Sequence, residues 1–144
     1  MGLDMYLISR AKENVQMAYW RKANAIHGYF MRNCTEDGYL DSCQEVRVEK
    51  ENIEDLLEAC KKVKELLHNE PLIESDDGYL VYDKEHEAVV KAFETLPPED
   101  GFYFGPIEIG EYYLEDVVET IEICTNLLSN FDFENQTLYY HGWW

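Results

Sequence analysis

The chain has 144 residues, 46% hydrophobic and 14% aromatic, and its 30 Asp and Glu against 12 Lys and Arg give a formal net charge of −18. That length suits one domain, large enough to bury a core without a metal or disulfide staple. The charge argues against direct binding to nucleic-acid phosphates or anionic lipid, and the many Tyr, Phe and Trp residues argue against a disordered chain.

No apolar run approaches the roughly 18–20 residues that cross a bilayer. Met1-Gly-Leu-Asp-Met lacks the basic start and apolar run of a signal peptide. Tyr6 stands where N-myristoylation after Gly2 requires Ser or Thr. The expected location is the cytoplasm, with Cys34, Cys43, Cys60 and Cys124 as reduced thiols.

Residues 2–8 alternate, with Leu3, Met5 and Leu7 against Asp4 and Tyr6, and predict a strand. Residues 15–19 predict a second. Trp20, Ala23, His27 and Phe30 fall at helical spacing and predict a helix over 20–33, ended by the turn Thr35-Glu-Asp-Gly38. Residues 45–48 alternate as a short strand. Ile53, Leu56, Leu57, Cys60, Val63, Leu66 and Leu67 then form one apolar helical stripe, stopped by Pro71. Glu49 stands at the N-cap of that helix, where Ser is preferred. Residues 79–82 predict a strand, and 84–96 a helix with Val89, Phe93 and Leu96 inward. After the break at Pro97-Pro98, Phe102, Tyr103 and Phe104 read as a buried strand or a pocket wall. A last helix over 111–129 points Tyr113, Val117, Ile121, Cys124 and Leu128 inward, and 136–141 form a closing strand. The expected architecture is one α+β domain over 1–144, a mostly antiparallel sheet of short strands packed by three or four helices. Residues 70–95 read as a variable insertion.

Charge is unevenly spread. Residues 1–50 are balanced, whereas no Lys or Arg follows Lys91. In the helix from 50, acids precede lysines, an order that suits the helix dipole and needs no partner. The helix from 111 is different. Glu111, Glu115, Asp116, Glu119 and Glu122 are all acidic, no base follows, and Glu108 extends the row. Like charges at i,i+4 cost a few tenths of a kcal/mol each. Such a row can occupy a positively charged groove built for phosphates.

Other chemistry is poorly supported. The cysteines carry no Cys-x-x-Cys spacing and the histidines no metal-helix spacing, so no metal is expected, although His27, Cys34 and Cys43 can be imagined to converge. Phosphate-binding glycine loops are absent, and no cofactor is expected. No nucleophile elbow surrounds any serine. The one constellation worth weighing as a pocket is Trp20, Arg21, Asn24 and His27 with Phe102, Tyr103 and Phe104. It would suit a small ligand or a reaction if those residues shared a polar cleft, and would fail if Trp20 and His27 lay in a continuous core.

Three stretches carry a resemblance. They are Met1-Gly-Leu-Asp-Met-Tyr-Leu7, then Tyr19-Trp-Arg-Lys-Ala-Asn24 with His27 and Tyr29-Phe30, and Gly101-Phe-Tyr-Phe-Gly105 leading to Tyr112, Tyr113, Asp116 and Thr120. Together they resemble a family of small proteins encoded by bacteriophages and prophages. The resemblance implies a protein acting in the host-cell cytoplasm by binding a host protein. The row Glu108, Glu111, Glu115, Asp116, Glu119 and Glu122 then suggests a DNA-mimic or anti-CRISPR type of inhibitor, expected to be non-enzymatic, whose partner has a basic nucleic-acid-binding surface. Homodimerisation through Trp143 and Trp144 is the further expectation for partners.

Overall fold

The computed structural model describes residues 2–10 and 13–144. Two strands, β1 (Asp4–Arg10) and β2 (Asn14–Arg21), form an antiparallel hairpin. Alternation sets their faces: Met5 and Leu7 of β1 with Ala18 and Trp20 of β2 point into the core. Helix α1 (Asn24–Cys34) follows, then β3 (Val46–Val48) and the long helix α2 (Lys50–Leu67). A second hairpin, β4 (Leu72–Glu74) and β5 (Leu80–Tyr82), leads to α3 (Glu87–Thr95). Helix α4 (Glu111–Asn130) and strand β6 (Thr137–Trp143) complete the order. The main sheet runs β2-β1-β6-β3, antiparallel throughout, with the first and last strands paired at its centre. Four helices with one four-stranded and one two-stranded sheet, among the described residues, make this the α+β architecture that the pattern predicts.

The inner face of the sheet and the helices share one hydrophobic cluster. Phe30 of α1 stacks on Tyr140 of β6 with ring centroids 4.3 Å apart, and Trp20 lies 6.1 Å from Phe30. Residues 70–95 contribute to this core: Tyr82, Val89 and Ala92 belong to the same cluster, and α3 packs on α2. The predicted stripe of α2 is buried, except that Leu66 is half-buried. Its N-cap Glu49 is served from the other direction, because Oδ1 of Asn52 accepts the Glu49 N–H at 2.9 Å.

Several local readings are corrected. Trp20 lies on β2, not on a helix, opposite Met5 in the sheet register. Lys22 takes a left-handed conformation (φ 54°) that breaks the backbone between β2 and α1, so the helical spacing of Trp20 to Ala23 and His27 is a coincidence of a strand feeding a helix. Phe102–Phe104 form no strand. The Phe104 N–H donates to the Gly101 carbonyl in a turn, Tyr103 is left-handed (φ 69°), Phe102 is 78% exposed and only Phe104 is buried. Phe93 points outward while Ala92 takes the inward place. On α4, Thr120 and Leu127 are buried where Ile121 and Leu128 were expected. The strand Leu72–Glu74 carries no alternating burial, being exposed along its length, which is why no period marks it.

Candidate functional site

The N-terminus of α4 brings two separate sets of sequence-selected residues together. A cleft of about 430 Å³ opens there. Arg21, Lys22 and Asn24, at the junction of β2 and α1, line one side, and Glu108, Glu111, Glu115 and Asp116 line another. The rings of Tyr79 and Tyr112 meet edge to face, 6.2 Å between centroids, also on its lining. The volume is within the usual range for small-ligand sites.

Local bonding fixes this junction. The Lys22 N–H donates to the Leu3 carbonyl at 2.7 Å, and the Lys22 carbonyl accepts the Asn24 N–H at 2.9 Å. The Asn24 amide donates to the carbonyls of Phe104 and Pro106, at 3.2 and 2.9 Å, and so ties the 104–106 segment to the start of α1. Arg21 pairs with Asp4 at 2.8 Å. The Tyr19 hydroxyl bond and the Arg21 guanidinium hold the Asp4 carboxyl below the usual carboxylate range.

Asp116 is the unusual group of the cleft. It is half-buried, and burial pushes its carboxyl up to about 8, with the carboxylates of Glu119 and Glu115 pushing the same way. Near pH 7 it is therefore largely a neutral acid, able to donate a hydrogen bond. Its backbone carbonyl accepts the Thr120 hydroxyl at 2.6 Å, and that hydroxyl in turn accepts the Trp20 indole N–H at 3.0 Å. An unfolded Asp titrates near 3.9. Between about pH 4 and about pH 8 the folded chain holds a proton that the unfolded chain has lost, so this group lowers stability as pH rises through that window. Asp116→Asn is accordingly expected to melt higher than the parent at pH 8, with the gain shrinking toward pH 4. Parallel melting curves of the two chains across that range would show an ordinary Asp116 instead.

The other members of the expected pocket lie elsewhere. Trp20 is 1% exposed and His27 fully buried, and both belong to the core. The His27 Nδ1 shares a hydrogen bond with the Tyr140 hydroxyl, and the rings of Phe104 and Trp144 meet it edge-on, each with centroids 5.0 Å away. Burial holds this imidazole down to about 4, so it is neutral and out of reach of a substrate. Phe102 and Tyr103 are exposed, and Phe104 packs inward. Of the seven residues, only Arg21 and Asn24 reach the cleft. Among the described residues, no three His, Cys, Asp or Glu side chains gather as a metal site, and His27, Cys34 and Cys43 do not form one. The two closing tryptophans separate: Trp143 is 61% exposed on the outer face of the sheet, and Trp144 packs against His27 and Phe104.

Beyond the cleft, the carboxylates continue along α4. Glu115, Glu119 and Glu122 are exposed and Glu111 is half-buried. From Glu111 to Glu122 the ladder spans about 16 Å at 1.5 Å rise per residue. Leu72, Tyr82, Leu114 and Val118 flank it in a shallow groove. Among the described residues, none of the six acids of the row takes part in an ion pair, whereas Asp4, Glu45, Glu49, Glu54, Glu87 and Glu99 each have a basic partner.

Tyr79 and Lys22 were not singled out as site residues from sequence. Lys22 sits one residue from Arg21, but its place in the cleft depends on the left-handed turn that no periodicity reports. Comparison with protein-family models, curated proteins and solved structures finds no match to this chain.

Proposed function

We propose that this chain is a non-enzymatic binding protein that engages a basic surface of a partner through the carboxylate ladder of α4. The observation that carries the reading is the absence of any ion-pair partner for Glu108, Glu111, Glu115, Asp116, Glu119 and Glu122 among the described residues. Arg21 and Lys22 share the cleft at the start of the row, and no base lines the groove that carries Glu115, Glu119 and Glu122. Four carboxylates over about 16 Å approach the charge density of one DNA strand, which carries a phosphate every ~3.4 Å, or about five over that length. The partner is then a protein whose surface is built for nucleic acid. In line with the phage-protein resemblance, the target is a host nucleic-acid-handling or defence protein in the bacterial cytoplasm. No described helix is long and apolar enough to cross a bilayer.

The burial of Trp20 and His27 in the core counts against the alternative pocket built around them. One observation keeps a small-ligand reading in second place: Arg21 and Lys22 share the lining of a cleft of ligand size with Asp116 and its neighbours.

The test uses the immobilised full chain, host lysate at low salt, elution at high salt, and competition by duplex DNA. A basic nucleic-acid enzyme displaced by DNA is expected. The triple variant Glu115→Lys, Glu119→Lys and Glu122→Lys is expected to lose about 100-fold in affinity, at about 1 kcal/mol per reversed contact. Its melting temperature is expected to be unchanged or slightly raised, because the net charge falls from −18 to about −12 and Glu111 gains an opposite charge at i,i+4. Unchanged affinity in a folded triple variant would sink the reading.

A further inference from the structure

An apolar groove of about 730 Å³ lies between α3 and the β4–β5 hairpin. Val90 and Phe93 of α3, Ile73 of β4 and Ile107 of the following loop line it, and they are 41, 52, 47 and 45% exposed. Helix α3 therefore carries apolar side chains in two directions. Val89, Ala92 and Leu96 satisfy the core, and Val90 and Phe93 are left facing water. Exposed apolar groups gathered in one concave patch mark an interaction site far more than the same groups scattered singly. The groove lining also includes Asp83, Glu94 and Glu108 against a single base, Lys84. Glu108 and Val81 line both this groove and the cleft at the start of α4, so the groove opens into the acidic face.

We propose that the groove receives the apolar side of a basic amphipathic helix of the partner protein. The inference rests on the reading that the acidic face binds a basic partner, and it names the segment that does so. Charge selects the occupant. A second copy of this chain brings its own −18 and its own ladder against this one, and nucleic acid or an anionic bilayer is repelled in the same way. A cationic helix is attracted, and its apolar residues at i, i+3, i+4 and i+7 reach into the groove while flanking Lys or Arg meet Glu94 and Glu108.

The probe is a pair of synthetic helical peptides of identical charge. One is built of Leu and Lys with every Leu on one face; in the other each Leu is replaced by Gln. Binding to the full chain is followed by fluorescence anisotropy and by amide chemical shifts. The Leu-faced peptide is expected to bind about tenfold or more tightly than its Gln counterpart, with shifts confined to α3, the β4–β5 hairpin and 107–109. Val90→Ser with Phe93→Ser is expected to erase that preference. Ile107→Ser makes the same test from the loop before α4, without touching α3. Equal affinity of the two peptides, or an unchanged preference in the folded variants, overturns the groove and leaves the acidic-face reading standing. Undiminished binding of the Leu-faced peptide to a folded Glu94→Lys, Glu108→Lys variant overturns the charge contacts that make the occupant basic, and with them this proposal, while the triple Glu→Lys variant of α4 tests the acidic-face reading separately.

Discussion

Trp20→Ala is expected to cost about 4 kcal/mol of folding stability, the largest effect of any single truncation considered. Trp20 is 1% exposed and sits where β2, α1 and α4 meet, with its ring 6.1 Å from that of Phe30. Removing it leaves a cavity that the surrounding elements can close only in part. It also strips the Thr120 hydroxyl of its indole donor, and Thr120 is fully buried. Domains are stable by about 5–15 kcal/mol, so such a loss consumes a large fraction of the total. Urea unfolding measures it directly. Trp20→Phe keeps most of the ring and loses the N–H, and should recover more than half of the loss. A cost below about 1 kcal/mol for the alanine variant would contradict the burial of Trp20.

The second large effect is expected at Gly110. A Cβ there would stand 2.3 Å from the Leu80 carbonyl oxygen and 3.1 Å from the Val81 Cα, both backbone atoms that cannot swing away. Gly110 bridges Val81 at this point, and the Tyr82 N–H donates to the Ile109 carbonyl at 2.8 Å. Gly110→Ala therefore has to push the β4–β5 hairpin off the start of α4, at about 2–3 kcal/mol. Because Val81 lines both the cleft and the groove, both openings should widen together. Faster amide exchange across β4, β5 and the first turn of α4, with the main sheet unaffected, is the expected signature. Unaltered exchange in the hairpin would show that the contact relaxes locally.

The helices and the central strands were legible from sequence because burial there imposes a single period. The α2 stripe from Ile53 to Leu67 faces one core and repeats at the helical spacing along its length. The β1 alternation is equally clean, since Met5 and Leu7 face inward while Tyr6 and Ile8 face out. Where two demands meet, the period misleads. Trp20, at the end of a strand, and His27, inside a helix, share a core, and their spacing imitates one continuous helix. Phe93 was placed inward because α3 has more apolar residues than one core face uses; that excess is itself the mark of a second apolar surface. The acidic row on α4 could be seen in the sequence as composition at helical spacing. The different environment of Asp116 could not, because it depends on the depth at which α4 seats against its neighbours, a tertiary quantity.

The pairing of β1 with β6 at the middle of the sheet has a consequence for how the chain reaches its native state. Asp4 stands opposite Trp143, and among the described residues β3 pairs with β6 alone. The β1–β2 hairpin and the α2 helix are closed by near neighbours in sequence and can form as the chain is synthesised. The sheet cannot be joined until β6 is in place, so before that β1 and β3 both lack the strand that links them. Long-range closure of this kind slows folding relative to a bundle of the same size. The residues that carry β1, β2 and β3 are balanced in charge, so repulsion between copies arises only from α2 and the segments after it, and protects those edges late rather than early.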